Sequence, residues 1–324
     1  MLTRRALLGR AVAAALAGLS APVVAQGHGR VPQRPSARVI VDNDFAGDPD
    51  SLVALAHQLL TPKTRVVLVT SSALDPKMAG SVPLGRSAAI GSDIAKELIR
   101  RSAIADAPQV LAGSEVLGLP LSPPSTAARA IVAEALRADS LPLIVTCGGP
   151  LTNIAAALQL EPRIATRMTV IWIGGGRYPE GGWEYNMNAD LAAARHVIEQ
   201  SRVSLWQVPQ SAYRQMQVSI AEMTDQLRPV SPFGAWLYSR FTTPPAFVEI
   251  GGSWPWGDTP TVLLSAISAE SSAHVDRTAQ RIADDGRYGA QIAGRTIRVF
   301  ETLDVRLAIA DFMALMHLHA SDKM

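Results

Sequence analysis

The chain has 324 residues, 48% of them hydrophobic and 18% charged, a balance that supports one large or two small self-sufficient cores. Its formal net charge of +2 provides no basic face, which argues against a nucleic-acid partner. A single cysteine, Cys147, excludes an internal disulfide, so stability has to come from packing and from any bound ion.

Residues 1–25 are expected to be a twin-arginine export signal: Arg4-Arg5 precede a mild apolar run from Ala11 to Leu19 and the small-residue stretch Val23-Val24-Ala25. That run is shorter than the ~20 residues a membrane span needs, and it is broken at Pro22. The mature protein is therefore expected in the periplasm or outside the cell, with no membrane association once the signal is removed. A Gln/Gly/Pro-rich linker, residues 26–35, leads into a domain of residues 36–324.

Within that domain short β-branched runs alternate with helix-patterned stretches, the sign of parallel βαβ units. Strands are expected at Arg38 to Val41, Arg65 to Thr70, Leu143 to Thr146 and Thr169 to Ile173. Helices are expected at Ser51 to Leu60, Ser87 to Arg101, Ala127 to Arg137, Leu151 to Leu160 and Leu191 to Gln200. Beyond Pro209 the pattern weakens. It leaves a helix near Ile220 to Leu227, an aromatic and proline-rich stretch from Phe233 to Trp256, and a final amphipathic helix from Arg306 to His317. The expected fold is α/β, an open, mostly parallel Rossmann-like sheet with helices on both faces.

Four polar or glycine-rich segments directly follow expected strands: Asp42 to Asp50, Ser71 to Asp75, Cys147 to Asn153 and Gly174 to Asn188. In such a sheet the carboxyl ends of the strands face the ligand crevice, so these segments should converge. The first reads Asp-Asn-Asp-Phe-Ala-Gly-Asp-Pro-Asp from Asp42 to Asp50. So many carboxylates in one turn are costly unless a cation or hydrogen bonds offset them. With no histidine or cysteine beside them, the donor set suits a hard ion such as Ca2+. The ordinary alternative is that Asp48 and Asp50 cap the following helix. Gly174 to Gly176 likewise have the plain reading of supplying backbone angles closed to other residues.

At these residues the chain resembles the inosine-uridine-preferring nucleoside hydrolase family. Asp42, Asp44 and Asp50 are similar to its first-strand turn, and Gly149 to Asn153 to a glycine turn before a helix. Gly174 to Gly176 resemble its triple glycine, Glu184-Tyr185-Asn186 its ribose clamp with Asp190 following, and Gly257-Asp258 the place of its last metal aspartate. The resemblance implies hydrolysis of the N-glycosidic bond of purine or pyrimidine ribonucleosides to ribose and free base, for salvage, with a calcium-bound water as nucleophile. By the same resemblance Asp44 is the base and a metal ligand, and Asp258 and the Gly148 carbonyl are further ligands. Asp50, Glu184 and Asn186 hold ribose hydroxyls, and the protein is a homo-oligomer.

The chain departs from that pattern at Ser51, where a second metal aspartate is expected, and at Gly257, where well-known members carry a histidine that protonates the base. Ser51 remains the candidate fourth ligand. With the six histidines away from the motifs, activation of the leaving base would come from another residue, from solvent, or from stacking of the base on Trp254, Trp256 or Trp183, rings for which core packing is an equally common use. Asp75 stands where an asparagine is expected. Two other readings stay open: a protein that binds a nucleoside or sugar without catalysis, and a hydrolase of another N-riboside. A haloacid-dehalogenase-like phosphatase is disfavoured, because Ala46 stands where that motif needs threonine or valine.

Overall fold

The computed structural model describes residues 32–243 and 249–322. The chain divides into a leading unit, residues 1–33, and a body, residues 34–324; the expected export signal lies outside the described residues.

The first strand, β1 (Ala37–Asn43), reads ARVIVDN and is buried along its whole length. Val39 and Val41 enter one apolar layer with Leu52, Leu55, Leu98 and Phe312, while Ile40 enters another with Val145, Ile154, Val170 and Trp172. The two-residue period of a strand separates these residues, and a strand apolar on both sides is stable only where helices cover both faces.

The other strands are β2 (Thr64–Ser71), β3 (Gln109–Ala112), β4 (Leu143–Cys147), β5 (Met168–Ile173), β6 (Ser204–Val208), β7 (Gln217–Ser219), β8 (Ser253–Pro255), β9 (Ala273–Ile282) and β10 (Tyr288–Thr302). Eight of them form one sheet in the order β3-β2-β1-β4-β5-β6-β10-β9, and β7 pairs with β8 separately. Every neighbouring pair in the large sheet is parallel except β10 with β9. The chain runs outward from β1 to β2 and β3 on one side and to β4, β5 and β6 on the other, so the strand order reverses between β1 and β4. At such a switch point the loops diverge and leave a crevice beyond the carboxyl ends of the strands.

The helices are α1 (Asp50–Leu60), α2 (Ser87–Ser102), α3 (Thr126–Leu136), α4 (Thr152–Leu160), α5 (Tyr185–Ala189) and α6 (Leu191–Arg195), followed by short helices and the C-terminal helix Val305–Ser321. Side chains start several of them by accepting orphan backbone N–H groups: Ser125 from Ala128 for α3, Glu184 from Asn186 and Met187 for α5, Asp190 from Ala193 for α6. The C-terminal helix is tied to α1 by His57 Nε2, 2.9 Å from Asp311 Oδ2.

The expected α/β sheet with helices on both faces is the observed one, and its central strands and helices lie where the periodicity predicts. Sequence periodicity missed β3, β6 and the β9–β10 hairpin. Most of the hairpin is exposed, its apolar residues are interrupted by polar ones, and only Ala279, Ile282, Ile297, Val299 and Phe300 enter the core, so no long apolar run marks it.

Candidate functional site

The expected convergence is present. Asp44, Asp50 and Asp258 lie close enough for their charges to act on one another. Asp42 is buried behind them, its Oδ1 accepting from Thr70 Oγ1 at 2.5 Å and Asn153 Nδ2 at 2.8 Å. Asn43 orders the next layer: its Nδ2 donates to Asp258 Oδ2 at 2.9 Å, and its Oδ1 accepts the Asp44 backbone N–H at 2.9 Å. Asp50 opens α1, and its Oδ1 accepts the Ser51 N–H at 3.0 Å.

These groups are electrostatically unsatisfied. Burial, then the charges of Asp50 and Asp48, push Asp44 well above the ordinary carboxylate range. Burial with the charge of Asp258 does the same to Asp50, and burial with the charge of Asp44 to Asp258. Burial raises Asp42 to about 6, against the lowering effect of its bonds from Thr70 and Asn153. Among the described residues no lysine, arginine or histidine forms an ion pair with any of them. Asp48, solvent-exposed, adds a further negative charge.

The glycine turns bring the other motifs to this cluster. A Cβ on Gly148 would stand 2.4 Å from Asn43 Nδ2 and 2.5 Å from Asp258 Cγ, so only glycine lets the β4 turn approach Asp258. The Gly148 carbonyl accepts Asn186 Nδ2 at 2.9 Å, and the other Nδ2 proton goes to the Ile173 carbonyl, also at 2.9 Å. Gly175, at φ +90°, takes a left-handed conformation that aims its N–H at Glu184 Oε2, 2.8 Å away. Glu184 is almost completely buried. Its other donors are Met187 N at 3.0 Å, Asn186 N at 3.2 Å and the Tyr213 hydroxyl at 3.0 Å. Two donors on each oxygen fill the four acceptor positions of a carboxylate.

Ser51 is buried, and its hydroxyl donates to the Asp48 carbonyl at 2.9 Å, closing the first turn of α1. Trp256 is fully buried between Phe241 and Phe312, which corrects the expectation that it stacks on a base: its apolar face fills the core instead. Trp254 is partly buried and meets Phe241 edge-on, while Trp183 is 57% exposed. Sequence reasoning missed Asn43 and Tyr213, and also Ser72, whose buried hydroxyl has no partner among the described residues and lies beside Gly149 and Asp44. An open groove of about 830 Å³ lies at the opposite end of the strands, lined by Leu59, Pro62, Arg65, Glu134 and Arg137 among others, away from these groups.

The family model described as inosine-uridine preferring nucleoside hydrolase matches residues 39–243, which hold every site residue above except Asp258 and its neighbours. The chain belongs to this family. It is similar to the pyrimidine-specific ribonucleoside hydrolase RihA of Salmonella dublin, 30% identical over 177 residues, covering 50% of this chain and 56% of that protein. The chain thus spans about half the length of the curated relatives it matches. Among solved structures it resembles the inosine-uridine preferring nucleoside hydrolase from Bacillus anthracis, with a TM-score of 0.66 at 16% identity, covering 87% of this chain and 99% of the other. It also resembles the purine-preferring ribonucleoside hydrolase from Gardnerella vaginalis, with a TM-score of 0.65 at 17% identity, covering 88% and 99%. At these identities the likeness establishes a common fold.

Proposed function

We propose that this chain hydrolyses the N-glycosidic bond of ribonucleosides, releasing ribose and free base, as an exported homo-oligomeric enzyme that holds Ca2+. The observation that carries the reading is the meeting of Asp44, Asp50 and Asp258 with Glu184 and Asn186 at the switch point, with Asp44, Asp258 and Glu184 buried, Asp50 partly buried, and none neutralised by a basic side chain among the described residues.

The donor set fits a hard cation, because it consists of oxygens alone and its charges repel one another until one is bound. Asp44, Asp258 and the Gly148 carbonyl would hold it, with Ser51 as the neutral fourth donor. Among the described residues no three His, Cys, Asp or Glu side chains are grouped as a preformed metal site. When bound, it supplies charge neutralisation, an anchor for two ribose hydroxyls and a lowered pKa for a nearby water.

This chain's residues do the rest. Asp44 takes the proton of the attacking water as the bond from ribose to base breaks, and the base leaves with the bonding pair and takes up a proton from solvent. Asp50 accepts a ribose hydroxyl. Asn186, both of whose Nδ2 protons are committed, offers its side-chain oxygen to another. Glu184 sets negative charge beside the sugar ring, where positive charge develops in an oxocarbenium-like transition state.

A second reading is a pocket that binds a nucleoside or sugar without turnover, favoured by the Ser51 hydroxyl being engaged with the Asp48 carbonyl. Ribose release from a panel of purine and pyrimidine nucleosides, with added Ca2+ and with a chelator, separates the two. Cation-dependent release lost in Asp258→Ala supports hydrolysis, whereas saturable nucleoside binding with no release supports the second reading.

A further inference from the structure

Tyr213 ends the short helix Gln210–Tyr213 after β6, at the same edge of the sheet as the carboxylates. Its hydroxyl donates to Glu184 Oε1 at 3.0 Å. Its ring lies across Gly257, where a Cβ would stand 3.2 Å from Tyr213 Cδ2 and 3.2 Å from Asp50 Oδ2. One partly buried side chain therefore bonds Glu184 and lies against the Gly257 turn that carries Asp258, and Asp50 Oδ2 approaches that same glycine.

Three of the four donors to Glu184 are backbone N–H groups fixed by the Gly175 turn and α5. The fourth is Tyr213, the only one of the four whose donor atom can also accept, and its oxygen, already met by the Gln210 side chain, has a second lone pair. With all four acceptor positions of Glu184 filled, a sugar hydroxyl meets the carboxylate through the phenol. Burial and the charge of Glu184 push that phenol above its ordinary range, so it keeps its proton and stays a donor.

We propose that Tyr213 is a substrate-binding residue of the sugar site: its oxygen accepts a ribose hydroxyl while its proton stays on Glu184, and its ring walls the side of the crevice that Gly257 leaves open. A chain of this kind is polarised by the anion at its end, which strengthens the outer hydrogen bond. The proposal rests on the ribonucleoside hydrolase reading.

The test is steady-state ribose release from uridine and its 2′-, 3′- and 5′-deoxy analogues by the calcium-loaded wild type, Tyr213→Phe, Glu184→Gln and the double variant. Tyr213→Phe should lower kcat/KM on uridine about ten- to a hundredfold, the usual loss of a hydrogen bond linked to a charge. Its thermal midpoint should fall by only a few degrees, the cost of one donor lost to a buried carboxylate, with the cooperative transition kept. The loss should vanish on the one analogue lacking the hydroxyl concerned, and the double variant should be no worse than Glu184→Gln. Wild-type kcat/KM in Tyr213→Phe, an equal loss on every analogue, or additive losses in the double variant would overturn the role of Tyr213 alone. A wild type inactive on the whole panel of purine and pyrimidine nucleosides overturns the hydrolase reading and this proposal with it, and one active only on purines moves the same comparison to inosine and its deoxy analogues.

Discussion

The two ends of the central strands treat charge in opposite ways. At the amino-terminal end Glu134 is bonded by Arg38 and Arg137, and Asp139 by Arg65 and Arg137. Burial alone would raise Glu134, but its arginine bonds bring it below its ordinary value, and the Leu141 N–H together with Arg137 holds Asp139 at about 2. At the carboxyl end Asp42, Asp44, Asp50 and Asp258 are raised and have no basic partner among the described residues. One end is a finished ion-pair network that a folded chain needs. The other stores repulsion, and buried repulsion of this kind marks a site that waits for a ligand.

Substitutions at the two ends should therefore separate activity from stability. Asp44→Ala should lower kcat about 10²- to 10⁴-fold, the usual contribution of a general base, while leaving the cation-free protein at least as stable, since a repelling charge is gone. Ribose-release kinetics beside a thermal melt read both effects. Arg38→Ala should do the reverse, costing about 3 kcal/mol by stranding part of a buried pair with kcat unchanged. Urea unfolding checks the first half, and a kcat loss would break the contrast.

The pH dependence of the cation-free protein sharpens the comparison. Asp42 has an ordinary value of 3.8 and a folded value of about 6. Between the two, the folded chain keeps a proton that the unfolded chain has released, so stability falls as pH rises from about 4 to about 6. By linkage the loss is on the order of 3 kcal/mol. Denaturant unfolding in chelator across that range should show at least this slope, because Asp44, Asp50 and Asp258 are raised as well, and Asp42→Asn should make it shallower by the share of Asp42. A stability that rises over the window would mean the carboxyl-end cluster is already neutralised.

The smallest effect concerns which side chain compensates for the serine at position 51. The Ser51 hydroxyl serves the helix turn, while the charge of Asp48 reaches Asp44, Asp50 and Asp258. Asp48→Asn should weaken calcium affinity about tenfold and Ser51→Ala by less, as read by calorimetry. The opposite ranking would make Ser51 the working donor.

The legible parts of the molecule were those with strong periodicity or dense chemistry. β1, α1 and the carboxylate turn between them were readable because an apolar run, a polar turn and a helical pattern follow one another within about 25 residues. Glu184 was legible as a candidate, but its saturation was not, because three of its donors are backbone groups, one on the positive-φ Gly175 and two in the first turn of α5. Tyr213 lies on a four-residue helix too short to show a period, 29 residues from the carboxylate it touches. Trp254 and Trp256 look alike in sequence, and only packing against Phe241 and Phe312 consigns Trp256 to the core.

The most direct measurement is a calorimetric titration of calcium into the cation-free protein at neutral pH, with proton release followed in buffers of different ionisation enthalpy. Burial and mutual repulsion raise the proton affinity of these carboxylates, so a cation that binds them competes with protons. The account predicts a single saturable site that releases protons and disappears in Asp258→Asn. Absence of binding, or binding unchanged in that variant, would contradict it.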